Sequence, residues 1–134
     1  VTTRKPVIFE NNAFYKLGMA PVYISCDANN WYESGRVEDV VIRNNRFYNC
    51  QGNGVIFIEP IITESAEERT VHKNIRIEKN SFYLNQNHAV DASSVDGLQI
   101  IDNEIHYSQK DQELYVMRAC KNVQIENNRE YLEE

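Results

Sequence analysis

The sequence lacks long apolar runs, basic clusters and metal-type spacings of cysteine or histidine. No apolar stretch approaches the ~20 residues that a membrane-spanning helix requires. The 14 basic and 20 acidic residues give a net charge of −6, and without a basic patch a nucleic-acid partner has no electrostatic basis. Buried free thiols at Cys26, Cys50 and Cys120 are favoured over a disulfide, because three cysteines cannot all pair. We therefore predict no nucleic acid, membrane, metal or cofactor as partner.

What the sequence does contain is one phrase that recurs along the whole chain. Each copy has two apolar residues separated by any residue, then polar residues with an asparagine at a fixed place. The copies are VIFENNAF, VVIRNNRF, IRIEKNSF, LQIIDNEI and VQIENNRE, starting at Val7, Val40, Ile75, Leu98 and Val123. Their asparagines are separated by 33, 35, 23 and 25 residues, and they are Asn12, Asn45, Asn80, Asn103 and Asn128. The two short intervals give the basal period.

A period in the low twenties predicts a solenoid, in which stacked units share one apolar core. A leucine-rich repeat would place Leu at most apolar positions, where this chain has Val, Ile and Phe. A helical repeat would need apolar residues 3.6 residues apart, whereas these alternate with period two, as in a half-buried strand. The sequence therefore predicts an all-β fold, a right-handed parallel β-helix of about five coils, forming a single domain over residues 1–134.

The repeated asparagines are predicted to have a structural role. Each is expected where a strand ends, because Asn tolerates the left-handed conformation of a turn. Stacked in register, their side-chain amides are expected to hydrogen-bond along the axis as a ladder. The chain begins and ends partway through a coil, so we expect a piece of a longer helix. Open solenoid ends expose strand edges, which favours end-to-end self-association without deciding between a monomer and a dimer.

Two polar excursions, residues 27–37 and residues 60–70, interrupt the regular coils. Both are too polar for the stack, and each follows the second strand of its coil. Because these coils are neighbours, the excursions are predicted to emerge on the same side and to meet in a cleft. No later coil has a comparable insertion, so any chemistry is expected in the first two coils.

Asp27 and Glu59 are the candidate catalytic residues. Cleavage of a glycosidic bond needs one protonated and one ionised carboxyl group, and parallel β-helices commonly act on carbohydrates. The two acids follow neighbouring strands, which predicts a separation of roughly 5–10 Å. Asp27 is equally well explained as a residue that caps the loop.

Trp31, Tyr32 and Glu33 are the candidate substrate-binding residues of the first excursion. The rings of Trp31 and Tyr32 would pack on a sugar's C–H face, although Trp31 is equally well explained as an anchor for the loop. Glu33 is better explained as a solvated loop charge. Asp91 and Asp96 are predicted to be turn residues.

The run ISCDANNWYESGRVEDVVIRNNRF, residues 24–47, resembles the catalytic β-helix of glycoside hydrolase family 110. These enzymes are exo-acting α-1,3-galactosidases, some of which act on the blood-group B epitope. The strand that ends near Glu59 and Pro60 and the later SVDGLQI, residues 94–100, also resemble that family. The likeness extends over most of the chain, but only the first run is specific.

The resemblance implies an inverting enzyme that releases terminal α-galactose without a metal or organic cofactor. Asp27 matches an acidic position of the family's active-site strand, and Glu59 is the nearest match for its partner. In the family an acidic residue often precedes Asp27, where this chain has Cys26, and a site that needs both acids would be impaired. Family members are much longer, so this chain would contain only part of the site, and we expect the isolated chain to be inactive. We also expect the complete protein to be extracytoplasmic. The alternative is a non-catalytic carbohydrate-binding or structural β-helix module.

Overall fold

The computed structural model describes residues 7–27, 38–52, 54–61 and 72–133. This part of the chain contains strands and turns but no helix, and so no helix that could cross a membrane. The strands are β1 (Val7–Glu10), β2 (Ala13–Tyr15), β3 (Val22–Asp27), β4 (Glu38–Arg43), β5 (Arg46–Tyr48), β6 (Gly54–Ile61), β7 (His72–Glu78), β8 (Ser81–Tyr83), β9 (His88–Ser93), β10 (Val95–Ile101), β11 (Glu104–Tyr107), β12 (Tyr115–Arg118), β13 (Lys121–Glu126) and β14 (Arg129–Leu132).

The strands form three parallel sheets, because each coil contributes its successive strands to successive sheets. Sheet A has the order β1-β4-β7-β10-β13, sheet B has β14-β11-β8-β5-β2, and sheet C has β12-β9-β6-β3. Within every sheet, each strand pairs in parallel with the corresponding strand of the next coil. This arrangement is the predicted parallel β-helix. The repeated phrase forms the sheet A strand, the turn and the sheet B strand of each coil.

The core is built from the apolar residues that alternate along each strand. Ile42 and Ile77 are paired in sheet A and are fully buried. In sheet B, the stacked rings of Phe14, Phe47 and Phe82 lie with centroids 5.5 and 5.1 Å apart. Stacking equivalent side chains coil upon coil lets each unit bury the apolar face of the next, which a single unit cannot do.

The five asparagines form the predicted ladder at the turn between sheets A and B. Asn45 donates from its backbone N and from Nδ2 to Asn80 Oδ1, each at 3.0 Å. Asn80 donates in the same way to Asn103 Oδ1, at 3.0 and 3.1 Å, and also from Nδ2 to the carbonyl oxygen of Ile42 at 2.9 Å. Asn45, Asn80 and Asn103 are each only 1% exposed, so the ladder satisfies buried backbone groups.

The prediction that the ladder asparagines adopt the left-handed conformation is wrong. The residue before each of them has that conformation, with φ between 54° and 61° at Asn11, Asn44, Lys79, Asp102 and Asn127. Lysine and aspartate also occupy this place, so the turn depends on backbone geometry more than on an Asn side chain. The preceding residue turns the chain, and the ladder asparagine that follows it is placed with its amide between the coils.

Both excursions connect the same pair of sheets. The first leaves sheet C after Asp27 and returns to sheet A at Glu38, and the second leaves after Ile61 and returns at His72. Since β3 pairs with β6 and β4 pairs with β7, their ends lie side by side. In coils three and four the connection from sheet C to sheet A is much shorter. It consists only of the residues between Ser93 and Val95 and between Arg118 and Lys121.

The strands that lead into the excursions are longer than the sequence indicated. Asp27 and Ile61 pair with each other as the last residues of β3 and β6, so the strands continue past the predicted starts at residues 27 and 60. Pairing between neighbouring coils extends β3 to the polar Asp27 and β6 past Pro60 to Ile61. Residues 28–37 and 62–71 lie outside the described residues, so the cleft between the excursions stays a prediction.

Candidate functional site on the outer face of sheet C

The backbone places Asp27 and Glu59 on adjacent strands of sheet C. Glu59 pairs with Ser25, so Asp27 lies two residues further along the neighbouring strand. Adjacent strands are ~4.8 Å apart and two residues span ~6.6 Å, which gives a separation of ~8 Å between Cα atoms. This backbone spacing suits either a retaining or an inverting pair of carboxyl groups. Neither side chain belongs to the described part of the structure, so both catalytic roles stay predictions.

The candidate substrate-binding residues Trp31, Tyr32 and Glu33 lie outside the described residues. Their proposed contacts with a sugar therefore stay predictions as well.

An aromatic pair lies on the outer face of sheet C, on the strands that carry Asp27 and Glu59. Val22 and Ile24 are buried, whereas Tyr23 between them is 43% exposed, as the alternation along β3 predicts. Tyr23 pairs with Phe57 across the sheet, and their rings stack with centroids 5.4 Å apart. Tyr23 was not among the sugar-contacting residues predicted from the sequence. The partner that makes it an aromatic surface is Phe57, one coil away.

Asp91 and Arg118 form an ion pair on the same face. The prediction that Asp91 is a turn residue is wrong, because it lies within β9 with its side chain only 3% exposed. Its Oδ1 accepts a hydrogen bond from Arg118 Nη1 at 2.9 Å, while the Arg118 side chain is 63% exposed. Asp96 is likewise part of a strand, β10, and accepts from Asn122 Nδ2 at 2.6 Å. A buried carboxylate needs a compensating charge, which explains the Arg118 contact.

Gly54 gives Asp91 the space it occupies. A Cβ added at Gly54 would lie 2.8 Å from both Cβ and N of Asp91. We expect Gly54→Ala to lower the free energy of unfolding by about 1–3 kcal/mol, because the neighbouring strand must shift. Gly18→Ala is the matched control, since an added Cβ there meets nothing within 4 Å. Urea unfolding of both variants checks the expectation, and equal midpoints would contradict the close approach.

The described thiols are not placed as nucleophiles. Cys50 is buried and free, and Cys120 is free and partly exposed. Burial raises the pKa of the Cys120 thiol, which keeps it protonated at neutral pH. Burial also raises the pKa of the Tyr115 hydroxyl, and the nearby Glu130 carboxylate adds to that effect. Both shifts favour the neutral form of the side chain, so Cys120 and Tyr115 do not form a second acid–base pair.

Metal ligands do not converge in the part of the chain that is described, where no group of three or more His, Cys, Asp and Glu side chains is arranged to hold an ion. A separate groove of about 610 Å³ crosses the outer face of sheet A and is lined by Asp39, Asn74, Gly97, Asn122 and their neighbours. Asn74 Nδ2 donates to Asp39 Oδ1 at 3.1 Å across its edge. Asp39 is the one carboxylate among the described lining residues, so the described part of this groove holds no acid pair of the kind that glycoside cleavage needs.

Comparison with known proteins gives both a family and named relatives. Residues 1–130 match the family model described as the right-handed β-helix region. This match confirms the fold class predicted from the sequence, including its handedness.

The relatives are bacterial enzymes. The chain is 40% identical over 136 residues to α-1,3-galactosidase A of Bacteroides thetaiotaomicron, which covers 96% of this chain and 23% of that protein. It is 44% identical over 110 residues to α-1,3-galactosidase A of Bacteroides fragilis, covering 78% of this chain and 18% of the relative. It is 40% identical over 145 residues to α-1,3-galactosidase B of Bacteroides thetaiotaomicron, covering 96% and 23%. The resemblance identified from residues 24–47 is confirmed, and the chain spans less than a quarter of these relatives.

Proposed function

Because the chain belongs to the right-handed β-helix family, we propose that it is part of an exo-acting α-1,3-galactosidase, whose substrate is a carbohydrate ending in α-linked galactose. The observation that carries this proposal is the identity of 40% over 96% of the chain to an α-1,3-galactosidase. The matched region includes the strands on which Asp27 and Glu59 lie. An extracytoplasmic location of the complete protein is part of the same proposal.

The proposed mechanism is inversion by two carboxyl groups. One of Asp27 and Glu59 donates a proton to the departing glycosidic oxygen, and the other removes a proton from the water that attacks the anomeric carbon from the opposite side. After the reaction the base carries the proton taken from water and the acid has lost its own. Proton exchange with solvent then returns both residues to their starting forms. Water adds to the sugar and the leaving alcohol gains a proton, so the reaction needs no further reagent.

The aromatic pair supports the choice of sheet C as the carbohydrate surface. Tyr23 is 43% exposed, and its ring is held by stacking on Phe57. An exposed ring beside two acid positions offers an apolar surface for the C–H face of a sugar and a hydroxyl at its edge. Cys26, at a place where the family often has an acid, favours the alternative of a binding module that holds carbohydrate without turnover.

The experiment that tests this proposal measures galactose release from α-1,3-galactobiose. It uses the chain itself and the complete protein that carries Val1–Glu134, with α-1,4-galactobiose and β-1,3-galactobiose as comparison substrates. We expect release from the α-1,3-linked substrate by the complete protein and little from the β-linked one. Binding without release would support the binding module, and neither binding nor release would contradict the proposed function.

A further inference from the structure

We propose that Arg118 binds hydroxyl groups of the sugar on the outer face of sheet C and that Asp91 positions its guanidinium. The ligand class is a terminal α-galactoside, so this inference rests on the proposed function. It extends the site from coils one and two to coils three and four, beyond the candidate acids.

The strand register places Arg118 level with Glu59. In sheet C, Ile58 pairs with Ala92. The next residue on each strand, Glu59 on β6 and Ser93 on β9, therefore lies at the same level of the sheet. Ser93 in turn pairs with Arg118. Two strand spacings therefore separate the backbones of Glu59 and Arg118, a distance of ~10 Å.

The Arg118 side chain reaches across sheet C toward the neighbouring strand, β9. Its Nη1 reaches Asp91 Oδ1 at 2.9 Å, and Asp91 lies on β9, the strand between β12 and β6 in sheet C. The guanidinium is thus held beside β9, at the level of Asp91 and Phe57, which is two residues before the level of Glu59. Asp91 pairs with Phe57, so its carboxylate lies beside the aromatic pair of Tyr23 and Phe57.

Arg118 compensates the charge of Asp91, but fold stability does not require an ion pair in this row. The other members of this row across sheet C are Tyr23, Phe57 and Val116, so an apolar residue fits the row elsewhere. Replacing a buried ion pair by well-packed apolar residues is often neutral or stabilising. The exposure is also asymmetric, 3% for the Asp91 side chain and 63% for that of Arg118. Arg118 therefore neutralises Asp91 while most of its own side chain stays accessible to a ligand.

The exposed guanidinium has the right chemistry for a sugar. An arginine has several N–H donors in a rigid planar fork and is charged at every relevant pH. Asp91 uses one of these donors, and no other hydrogen bond of Arg118 is found among the described residues. The remaining donors face solvent above the sheet, where hydroxyl oxygens of a bound galactoside accept hydrogen bonds.

The test compares Arg118→Met with Arg129→Met in the complete protein. Arg129 is an exposed arginine on sheet B, so it controls for the loss of one surface charge. Hydrogen bonds to charged groups imply that Arg118→Met raises KM for α-1,3-galactobiose by about tenfold to a hundredfold. The kcat should change little, whereas the midpoint of urea unfolding should fall because Asp91 loses its compensating charge, so KM is compared at equal folded fraction. An unchanged KM would overturn the inference while leaving the proposed function intact.

The role of Asp91 is tested by a double-mutant comparison. Asp91→Asn alone should raise KM several-fold, because the guanidinium loses the charge that orients it. In the Arg118→Met background the same change should have no further effect on KM, since there is no guanidinium left to position. Independent, multiplying effects would show that Asp91 acts through the fold and would overturn its positioning role.

A binding measurement separates this inference from the proposed function. Titration calorimetry with α-1,3-galactobiose is run on the same variants, whether or not the protein releases galactose. If the protein binds without turnover and Arg118→Met alone weakens binding at least tenfold, the Arg118 assignment holds although the enzymatic proposal fails. If binding is equal in both arginine variants, the assignment fails.

Discussion

Asp27→Asn is expected to reduce galactose release from α-1,3-galactobiose by about 10²- to 10⁴-fold, with little change in KM. This is the usual contribution of a positioned general acid or base. The substitution keeps the shape of the side chain and removes its ability to exchange a proton at neutral pH. Asp27 is the last residue of β3 and lies two residues beyond Ser25, the residue that pairs with Glu59. Its proposed role as half of a carboxyl pair rests on this backbone spacing.

Asp111→Asn provides the control for that substitution. Asp111 is an exposed aspartate in the turn between β11 and β12, and its replacement should leave the rate unchanged. Both proteins are compared at equal folded fraction, measured by urea unfolding, so that a loss of rate is not a loss of protein. Full activity of Asp27→Asn would remove Asp27 from the mechanism and leave Glu59 without a partner on β3.

Asn80→Ala is expected to lower the free energy of unfolding by about 3–6 kcal/mol, because several buried groups each lose a partner worth about 1–3 kcal/mol. The Asn80 side chain accepts from the backbone N and Nδ2 of Asn45 and donates to Asn103 Oδ1 and to the carbonyl oxygen of Ile42. Single domains are stable by only about 5–15 kcal/mol. This one substitution therefore threatens the whole fold.

Asn12→Ala is the matched control, because Asn12 belongs to the same ladder but is only half-buried. Its Nδ2 donates to Asn45 Oδ1 and to the carbonyl oxygen of Glu10, and no described residue donates to its own Oδ1. We expect a cost of about 1–2 kcal/mol there. Urea-unfolding midpoints give both values, and equal losses would show that the ladder does not stabilise the interior coils as described.

The repeated phrase was sufficient to predict the fold. Period-two alternation within each copy indicates strands, the spacing of the copies indicates stacked coils, and the fixed asparagine indicates the ladder. The turn geometry was harder to predict from the sequence. Lys79 and Asp102 adopt the left-handed conformation, but the Asn that follows each of them is the residue type that favours it more. The local pattern predicts that a turn is present, but it does not predict which of the two residues adopts the left-handed conformation.

The Asp91–Arg118 pair could not be predicted from local sequence, since the partners are 27 residues apart and their coils differ in length. The turn between Tyr83 and His88 is shorter than the turn between Tyr107 and Tyr115, so counting from the ladder asparagines does not align β9 with β12. Only the register of sheet C brings the two residues together. Asp91 therefore looked like a turn aspartate until its strand pairing was known.

The most direct measurement of the central claim is the anomeric form of the first galactose released. Proton NMR follows hydrolysis of α-1,3-galactobiose by the complete protein before the released sugar mutarotates. β-Galactose is expected to appear first, because a two-carboxylate inverting site delivers water to the face opposite the leaving group. Release of α-galactose first would contradict the inverting mechanism, and the absence of any galactose would contradict the enzymatic function itself.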